Sequence, residues 1–334
     1  MPMRSAATRA ERLAAAPSVD SGSGSARRAS RFLSVLDLDH EALAACLELA
    51  SRMKRARAAG IPHEQPLEGR HVALLFEKPS LRTRSTFQIA VRELGGHVIE
   101  PPSEVALGGR ETIADVARNL ERWVSAAVVR TFAQARLEEF AAAAPRLHVV
   151  NALTNEEHPC QALADCLTLT EAWGSLRGRT IAFVGDGNNV ATSLAQAAAM
   201  LGARVRIGSP PGFELPERVR DSVARVARAG GSIELTTGAE TAVRGADAVY
   251  TDVWTSMGQE GEAAGRLAVF GPYQVNAALM SKAHPDALFM HCLPAHRGDE
   301  VTDEVIDSPA SVVFDQAENR LHVQKALLAM LATT

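Results

Sequence analysis

The sequence predicts an α/β protein with two doubly wound parallel-sheet domains joined by interdomain helices. From Ser30 onward, short apolar runs alternate with amphipathic stretches, which is typical of parallel sheets covered by helices on both faces. The runs divide into a group of four and a group of five, and the break falls near residues 153–175. Because ligands bind at the carboxyl ends of strands in such folds, we expect an active site in the cleft between the domains.

Each apolar run predicts a strand, and each amphipathic stretch predicts a helix. The predicted strands are 72–76, 97–100, 127–131, 148–152, 180–184, 203–207, 232–236, 247–251 and 287–290. The predicted helices include 85–94, 111–125, 134–144, one starting near His158-Pro159, 190–201, 215–229 and a last helix over 317–331.

Length and charge limit the classes of function. A chain of 334 residues is long enough for two domains with one sizeable core each. The net charge of −4 argues against a broad surface for nucleic acid or for anionic membranes. No apolar run reaches the roughly 18 residues of a membrane span. Four cysteines form no disulfide framework, so we expect a reducing compartment, the cytoplasm.

The first 29 residues differ in composition from the rest. They are rich in Ala, Ser and Arg, and they lack the apolar stretch of a secretory signal. Glu11 and Asp20 argue against an organellar transit segment, which is the alternative interpretation. We predict a disordered N-terminal tail over 1–29.

An anion site is predicted where the first strand ends, in the sequence Phe76-Glu77-Lys78-Pro79-Ser80-Leu81-Arg82-Thr83-Arg84. Ser80 precedes a stretch with helical apolar spacing, so it is a candidate N-cap. Free backbone N–H groups, the helix dipole and Arg82 would then converge on one point, which suits a phosphate-like dianion. The alternative is a capped helix whose arginines lie on its solvated face.

A second polar cluster begins the helix near residue 158. His158, Gln161 and Asp165 are spaced i, i+3 and i+7, so they share one helix face after a strand end. A structural histidine is the alternative interpretation. The spacing of His158 with Cys160 and Cys166 matches no common structural zinc pattern.

The segment Gly185-Asp186-Gly187-Asn188-Asn189-Val190 resembles a dinucleotide-binding turn, because it ends a strand and opens a helix. Val190 occupies the place of the third glycine, and the next strand ends without the acidic residue that holds a ribose. These departures argue against an NAD-dependent dehydrogenase. The remaining tight turn presents two amides that suit a carboxylate or an ammonium group.

Three further segments carry polar groups at strand or helix ends. Asp252 follows a strand, where it is either a loop anchor or a partner for a substrate amino group. Cys292 could be a nucleophile, but adjacent strand residues point to opposite faces, so His291 is poorly placed to activate it. Glu318-Asn319-Arg320 opens the predicted last helix, where a surface salt bridge is the alternative interpretation.

Taken together, these segments resemble the aspartate/ornithine carbamoyltransferase family over roughly residues 31–334. The resemblance rests on six separated motifs in the expected order: Ser80-Leu81-Arg82-Thr83-Arg84, Arg130-Thr131, His158-Pro159-Cys160-Gln161, 185–189, 252–258 and 291–294. The last three belong to the ornithine branch of the family.

The resemblance implies transfer of the carbamoyl group from carbamoyl phosphate to the δ-amine of L-ornithine, giving L-citrulline and phosphate, without a metal or an organic cofactor. It implies carbamoyl-phosphate contacts from Ser80, Leu81, Arg82, Thr83, Arg130, His158, Gln161, Cys292, Leu293 and Arg320. It implies ornithine contacts from Asn189, Asp252, Ser256 and Met257. Catalytic roles would fall to Arg130, His158, Asp252, Cys292 and Arg320, and Leu293-Pro294 would form a cis peptide.

The resemblance also implies a domain division and an assembly. Residues 30–154, with the C-terminal helix over 319–334, would bind carbamoyl phosphate, and residues 155–318 would bind ornithine. A homotrimer, or a multiple of trimers, is expected. Ala106 departs from the family pattern, in which Gln or His often precedes the Leu-Gly of a loop that reaches a neighbouring subunit, so a subunit-shared contact there is not implied.

Several other functions compete with this interpretation. Carbamoylation of aspartate would need extra basic groups that 252–258 lacks, and putrescine would leave Asn189 and Ser256 without a role. An enzyme for N-acylated ornithine should lack the Ser256-Met257-Gly258 loop. A non-catalytic binding protein should have lost at least one of the side chains that the resemblance assigns to carbamoyl-phosphate binding and catalysis, and all of them are present.

Overall fold

The computed structural model describes residues 31–103, 107–255, 261 and 263–333. The predicted tail over 1–29 lies outside the described residues, as do Ala106, Ser256 and Met257.

Nine strands form two sheets within the described part of the chain. They are β1 (His71–Phe76), β2 (His97–Ile99), β3 (Ala126–Arg130), β4 (His148–Leu153), β5 (Thr180–Val184), β6 (Arg204–Gly208), β7 (Ser232–Thr236), β8 (Ala248–Thr251) and β9 (Leu288–His291). The first sheet has the order β2-β1-β3-β4 and the second β7-β6-β5-β8-β9, and all neighbouring strands are parallel. The prediction of parallel sheets with four and five strands is confirmed.

Helices connect the strands and cover both sheets. They are α1 (His40–Ala58), α2 (Leu81–Glu93), α3 (Ile113–Trp123), α4 (Gln134–Ala143), α5 (Pro159–Trp173), α6 (Asn189–Met200), α7 (Glu217–Val226), α8 (Ala239–Val243), α9 (Ala263–Phe270), α10 (Ala277–Met280), α11 (Asp303–Ile306) and α12 (Val313–Ala332). None of those in the described ranges is long and apolar enough to cross a membrane.

The central strands β1, β3, β5 and β8 are almost entirely buried, which agrees with helices covering both faces of each sheet, whereas β2, β6 and β7 carry exposed residues. In β1, Val72 and Leu74 face one buried cluster, whereas Ala73 and Leu75 face another, as the alternation of strand side chains requires. The first cluster continues through α5 and α12 to Phe183 in the second sheet. One hydrophobic core therefore packs against both sheets.

The predicted start of the last helix is wrong by four residues. Helix α12 begins at Val313, and the Gln316 N–H already donates to the Val312 carbonyl at 2.9 Å. The apolar pattern concealed this start because Val313 is buried whereas Phe314 is exposed. The segment Glu318-Asn319-Arg320 therefore lies in the second turn of α12, with Arg320 buried against α5 rather than in a surface salt bridge.

Candidate active site

A cavity of about 690 Å³ lies where strand ends from both sheets meet. From the first sheet, the segment after β1 and the end of β3 line it, and the N-terminus of α5 lies beside them. From the second sheet, the loops after β5, β8 and β9 line it. The cavity occupies the cleft in which the sequence predicts an active site.

The start of α2 provides a capped helix N-terminus at the cavity. The Ser80 hydroxyl accepts a hydrogen bond from the Thr83 N–H at 3.3 Å, so the predicted N-cap is confirmed. Arg82 lines the cavity, and its guanidinium has no hydrogen-bond partner among the described residues. Arg84 instead turns away, with Nε 2.5 Å from Oε1 of Glu100. Of the two arginines in this segment, Arg82 is the one available to an anion.

Two buried arginines complete a cationic wall. Arg130, at the end of β3, is 5% exposed, and Arg320 is 3% exposed. Burial, reinforced by the positive charges of Arg320 and Arg82, lowers the pKa of Arg130 to about 10. The Nε atoms of Arg130 and Arg320 are buried without a hydrogen-bond partner. Because buried charges need partners, this wall favours a bound anion.

Arg320 also holds neighbouring groups in the wall. Its Nη1 donates to Oε1 of Gln161 at 2.9 Å, and its Nη2 donates to the Thr83 hydroxyl at 2.5 Å. Arg320 comes from α12, Gln161 from α5 and Thr83 from α2. Three helices that are distant in sequence are therefore joined at one face of the cavity.

His158 occupies the N-cap position of α5 at the cavity without a capping hydrogen bond from its side chain, and its backbone N–H donates to the Ser193 hydroxyl at 3.0 Å. Burial, together with the charges of Arg320 and Arg130, holds the pKa of His158 well below its usual value. The imidazole is therefore neutral near pH 7, and a neutral imidazole can still donate one hydrogen bond.

The neutral state of His158 predicts a measurable pH effect on stability. Its folded-state pKa is depressed, so below about pH 6.5 the unfolded chain binds more protons and folding weakens as pH falls. We expect His158→Gln to reduce the loss of unfolding free energy between about pH 7.5 and 5.5 by about 1 kcal/mol. Urea denaturation at both pH values measures this loss. His284→Gln, which changes an exposed histidine, serves as the control. An unchanged pH dependence in His158→Gln would contradict the depressed pKa.

Asp165 lies one turn after Gln161, as the predicted shared helix face requires. The Gln161 amide donates to Oδ1 of Asp165 at 2.8 Å, and both residues are buried. Burial raises the pKa of Asp165 to about 7. Neither Gln161 nor Asp165 lines the cavity, and Gln161 is connected to it through its hydrogen bond to Arg320, which does.

The opposite side of the cavity carries a carboxylate held by neutral donors. Asp252 accepts a hydrogen bond from the Asn188 amide at 2.7 Å and one from the Cys292 thiol at 3.0 Å. Asp186 also lines the cavity, but Arg266 is its ion-pair partner. The charge of Asp252 is therefore not balanced by a cation among these partners, which suits an ammonium group in the cavity.

Close backbone packing fixes the turn that carries Asn188 and Asn189. A Cβ atom on Gly187 would lie 2.4 Å from the Leu215 nitrogen, so only glycine fits there. Asn188 then caps α6 through its side-chain oxygen, and the Asn189 amide donates to the Thr154 carbonyl at 2.6 Å. Both asparagines line the cavity, although each amide nitrogen already has a protein acceptor.

The structure argues against Cys292 as a nucleophile. Burial and the neighbouring Asp252 raise the pKa of the Cys292 thiol well above its usual value, so the reactive thiolate is disfavoured. His291 Nδ1 accepts from the Leu293 N–H at 2.9 Å, and Nε2 lies 3.1 Å from Glu300. Both imidazole nitrogens are thus engaged elsewhere, as the strand geometry predicts. The expected cis peptide between Leu293 and Pro294 is confirmed.

The predicted site residues leave out several that line the cavity, among them Lys78, Asn155 and Asn188. Lys78 is 7% exposed, and its ammonium donates to Oδ1 of Asn155 at 2.6 Å. Asn188 is the donor to Asp252 described above. Lys78 lies within the segment 76–84, Asn188 lies within the segment 185–190, and Asn155 follows the end of β4. Position at a strand end was therefore the signal that could have identified all three.

The cavity has two sides of opposite character. Arg82, Arg130 and Arg320 line one side, where no carboxylate among the described lining residues pairs with them, and Asp252 lines the other. The fold and the site thus define a two-domain α/β protein whose cleft suits a dianion beside a cationic group.

Comparisons with known proteins identify the family. The model of the aspartate/ornithine carbamoyltransferase carbamoyl-P binding domain matches residues 30–171, and that of the Asp/Orn binding domain matches residues 177–331. The chain is 52% identical over 305 residues to an ornithine carbamoyltransferase from Parafrankia sp., covering 91% of this chain and 96% of the relative. The chain belongs to the aspartate/ornithine carbamoyltransferase family.

Solved structures agree with this assignment. An ornithine carbamoyltransferase from Pyrococcus furiosus matches with a TM-score of 0.86 and 48% identity, covering 90% of this chain and 96% of that chain. The ornithine carbamoyltransferase from Thermus thermophilus matches with a TM-score of 0.81 and 42% identity, covering 90% and 98%.

Proposed function

We propose that this protein transfers the carbamoyl group of carbamoyl phosphate to the δ-amine of L-ornithine, giving L-citrulline and phosphate. The observation that carries the proposal is the cavity with three arginines on one side and Asp252 on the other. Carbamoyl phosphate supplies the dianion, and ornithine supplies the amino groups. The ornithine carbamoyltransferases among the relatives support this choice of substrates.

Carbamoyl phosphate binds at the cationic side. The Ser80 hydroxyl, the backbone N–H groups after it, Arg82 and Thr83 hold the phosphate at the N-terminus of α2, together with Arg130. The carbamoyl oxygen lies near Thr83, Arg130 and His158, and the carbamoyl amide lies against Gln161. Leu81 and Leu293 contribute further contacts to carbamoyl phosphate, and Arg320 completes the cationic side of the cavity.

Ornithine binds at the opposite side, where Asp252 pairs with its α-ammonium group. Asn189 contributes a second contact to the α-groups. Ser256 and Met257 complete this side in the proposal, although they lie outside the described residues. Cys292 faces the attacking δ-amine as a neutral thiol, consistent with its raised pKa.

The δ-amine must lose a proton before it can attack. Its free pKa is about 10.4, like that of lysine, so deprotonation costs about 4–5 kcal/mol at pH 7. Desolvation in the cleft and repulsion by the arginines lower this pKa. Attack on the carbamoyl carbon forms a C–N bond and places negative charge on the carbamoyl oxygen, where Arg130 and His158 stabilise it. The C–O bond to phosphate then breaks as the carbonyl re-forms, and the leaving phosphate accepts the second proton, which the attacking nitrogen loses once it is bonded to carbon.

The proposal includes a division of labour between domains. Residues 30–154, with the C-terminal helix, bind carbamoyl phosphate, and residues 155–318 bind ornithine. Closure of the two domains would bring the amine into attack geometry.

We also propose a cytoplasmic homotrimer. Exposed Ile89 and Ile99, on α2 and the edge strand β2, support an interface on that side.

A substrate panel tests the proposed function. Citrulline formation should be measured with ornithine, while N-acetylornithine, putrescine and aspartate are assayed for their own carbamoylated products. We expect kcat/KM for ornithine to exceed that of each competitor by about 100-fold, because loss of a buried charge contact costs about 2–5 kcal/mol. A clear preference for another amine would refute the proposed substrate.

A further inference from the structure

Asp165 is a buried acid for which the proposed chemistry has no direct use. Its Oδ1 accepts hydrogen bonds from the Gln161 amide at 2.8 Å and from the Gln316 amide at 2.7 Å. It is fully buried and does not reach the cavity. A carboxyl group in such a place needs a reason, because burying it is costly unless its bonds are valuable.

The two neighbours of Gln161 decide which way its amide points. Arg320 can only donate, so the Gln161 oxygen must face it, and the observed distance to Nη1 is 2.9 Å. Oδ1 of Asp165 already accepts two hydrogen bonds, so it is an acceptor whether or not the other carboxyl oxygen carries a proton. The Gln161 nitrogen must therefore face Asp165. Both contacts select the same orientation of the amide.

The position of Asp165 is itself fixed by a hydrogen bond from Gln316. The Gln316 amide that donates to Asp165 also lies 3.0 Å from the Tyr250 hydroxyl, and the Gln316 oxygen accepts from the His291 N–H at 3.1 Å. These partners come from α12, β8 and β9. The position of Asp165 is thereby tied to the second sheet, next to the loop that carries Cys292.

We propose that Asp165 is a positioning residue that fixes the Gln161 amide with its oxygen toward the carbamoyl NH2 group. This inference rests on the proposed role of Gln161. One lone pair of the Gln161 oxygen accepts from Arg320, and the second is left for a substrate N–H. A rotated amide would present a donor to a donor. Asp165 thus contributes to the selection of carbamoyl phosphate over acyl phosphates that carry a methyl group in place of NH2.

Calorimetry with carbamoyl phosphate and with acetyl phosphate, its methyl isostere, tests this role in the full chain. We expect the wild-type protein to bind carbamoyl phosphate more tightly than acetyl phosphate. The ratio of the Kd for acetyl phosphate to the Kd for carbamoyl phosphate should fall by about tenfold in Asp165→Leu, as for loss of one oriented hydrogen bond. Asp165→Asn retains an acceptor oxygen, so its ratio should stay within about threefold of the wild-type value. If Asp165→Leu does not fold, Asp165→Ser, whose hydroxyl is too short to reach the Gln161 nitrogen, serves instead.

Thr168→Val provides a matched control on the same helix. Thr168 is also buried, and its hydroxyl accepts from the Asn319 amide at 3.0 Å without touching Gln161. The ratio should be unchanged in this variant even if both affinities fall. A wild-type ratio in Asp165→Leu or Asp165→Ser would overturn the positioning role. Equal binding of both ligands by the wild-type protein would instead refute the proposed role of Gln161, so the two failures are distinguishable.

Discussion

Replacement of Arg82 with alanine is expected to weaken carbamoyl-phosphate binding by about 100-fold or more. Arg82 is the cavity arginine that has no hydrogen-bond partner among the described residues, so its charge is available for the phosphate. Loss of a charge-assisted bidentate contact costs about 2–3 kcal/mol, which corresponds to this factor. Calorimetry in the absence of ornithine measures the binding directly. Near-normal affinity would contradict the role of Arg82.

Arg84 is a matched control for this experiment, because it lies two residues later in the same helix turn. Its guanidinium pairs with Glu100 and lies over the Phe76 ring, and it does not line the cavity. We expect Arg84→Ala to leave carbamoyl-phosphate affinity within about threefold of wild type, since exposed ion pairs contribute about 0–1 kcal/mol. A large loss of affinity in both variants would indicate damage to α2 rather than loss of a phosphate contact.

The arrangement of strands could be predicted from the sequence because the apolar pattern reports burial directly. Parallel strands covered on both faces are apolar throughout, as in the buried residues 72–76 of β1, so each one stands out from its flanking helices. Helix ends were harder to predict. The start of α12 was missed because Val313 packs into the second domain's core while Phe314 beside it is exposed. No periodic pattern in the sequence predicts that contact.

The candidate site was predictable at the level of strand ends, but not at the level of side-chain direction. Arg82 and Arg84 are alike in sequence terms, and only the position of Glu100, directly after β2, shows which one faces the cavity. The hydrogen bonds to Asp252 likewise depend on Asn188 and Cys292, which are 64 and 40 residues away. Contacts of this range follow from the packing of the sheets and not from local spacing.

Replacement of Asp252 with asparagine is expected to lower kcat/KM for ornithine by about 100-fold to 1000-fold. The carboxylate is 6% exposed, and its hydrogen-bond partners, Asn188 and Cys292, are both neutral. An ammonium group in the cavity would therefore meet an uncompensated charge, and removal of such a partner costs about 2–5 kcal/mol. Steady-state kinetics with ornithine as the varied substrate measure this loss.

Asp247 provides the control, because it precedes the opposite end of the same strand, β8. Its carboxylate accepts from Arg179 and from the Thr180 N–H, both at 2.8 Å, and it does not line the cavity. Asp247→Asn should leave the KM for ornithine unchanged even if stability falls. Carbamoyl-phosphate affinity should survive in Asp252→Asn, because Asp252 has no contact with Arg82 or Arg320. If instead Asp252→Asn weakened the binding of both substrates equally, Asp252 would be acting through the shape of the whole cleft, and its proposed pairing with the ornithine ammonium group would be wrong.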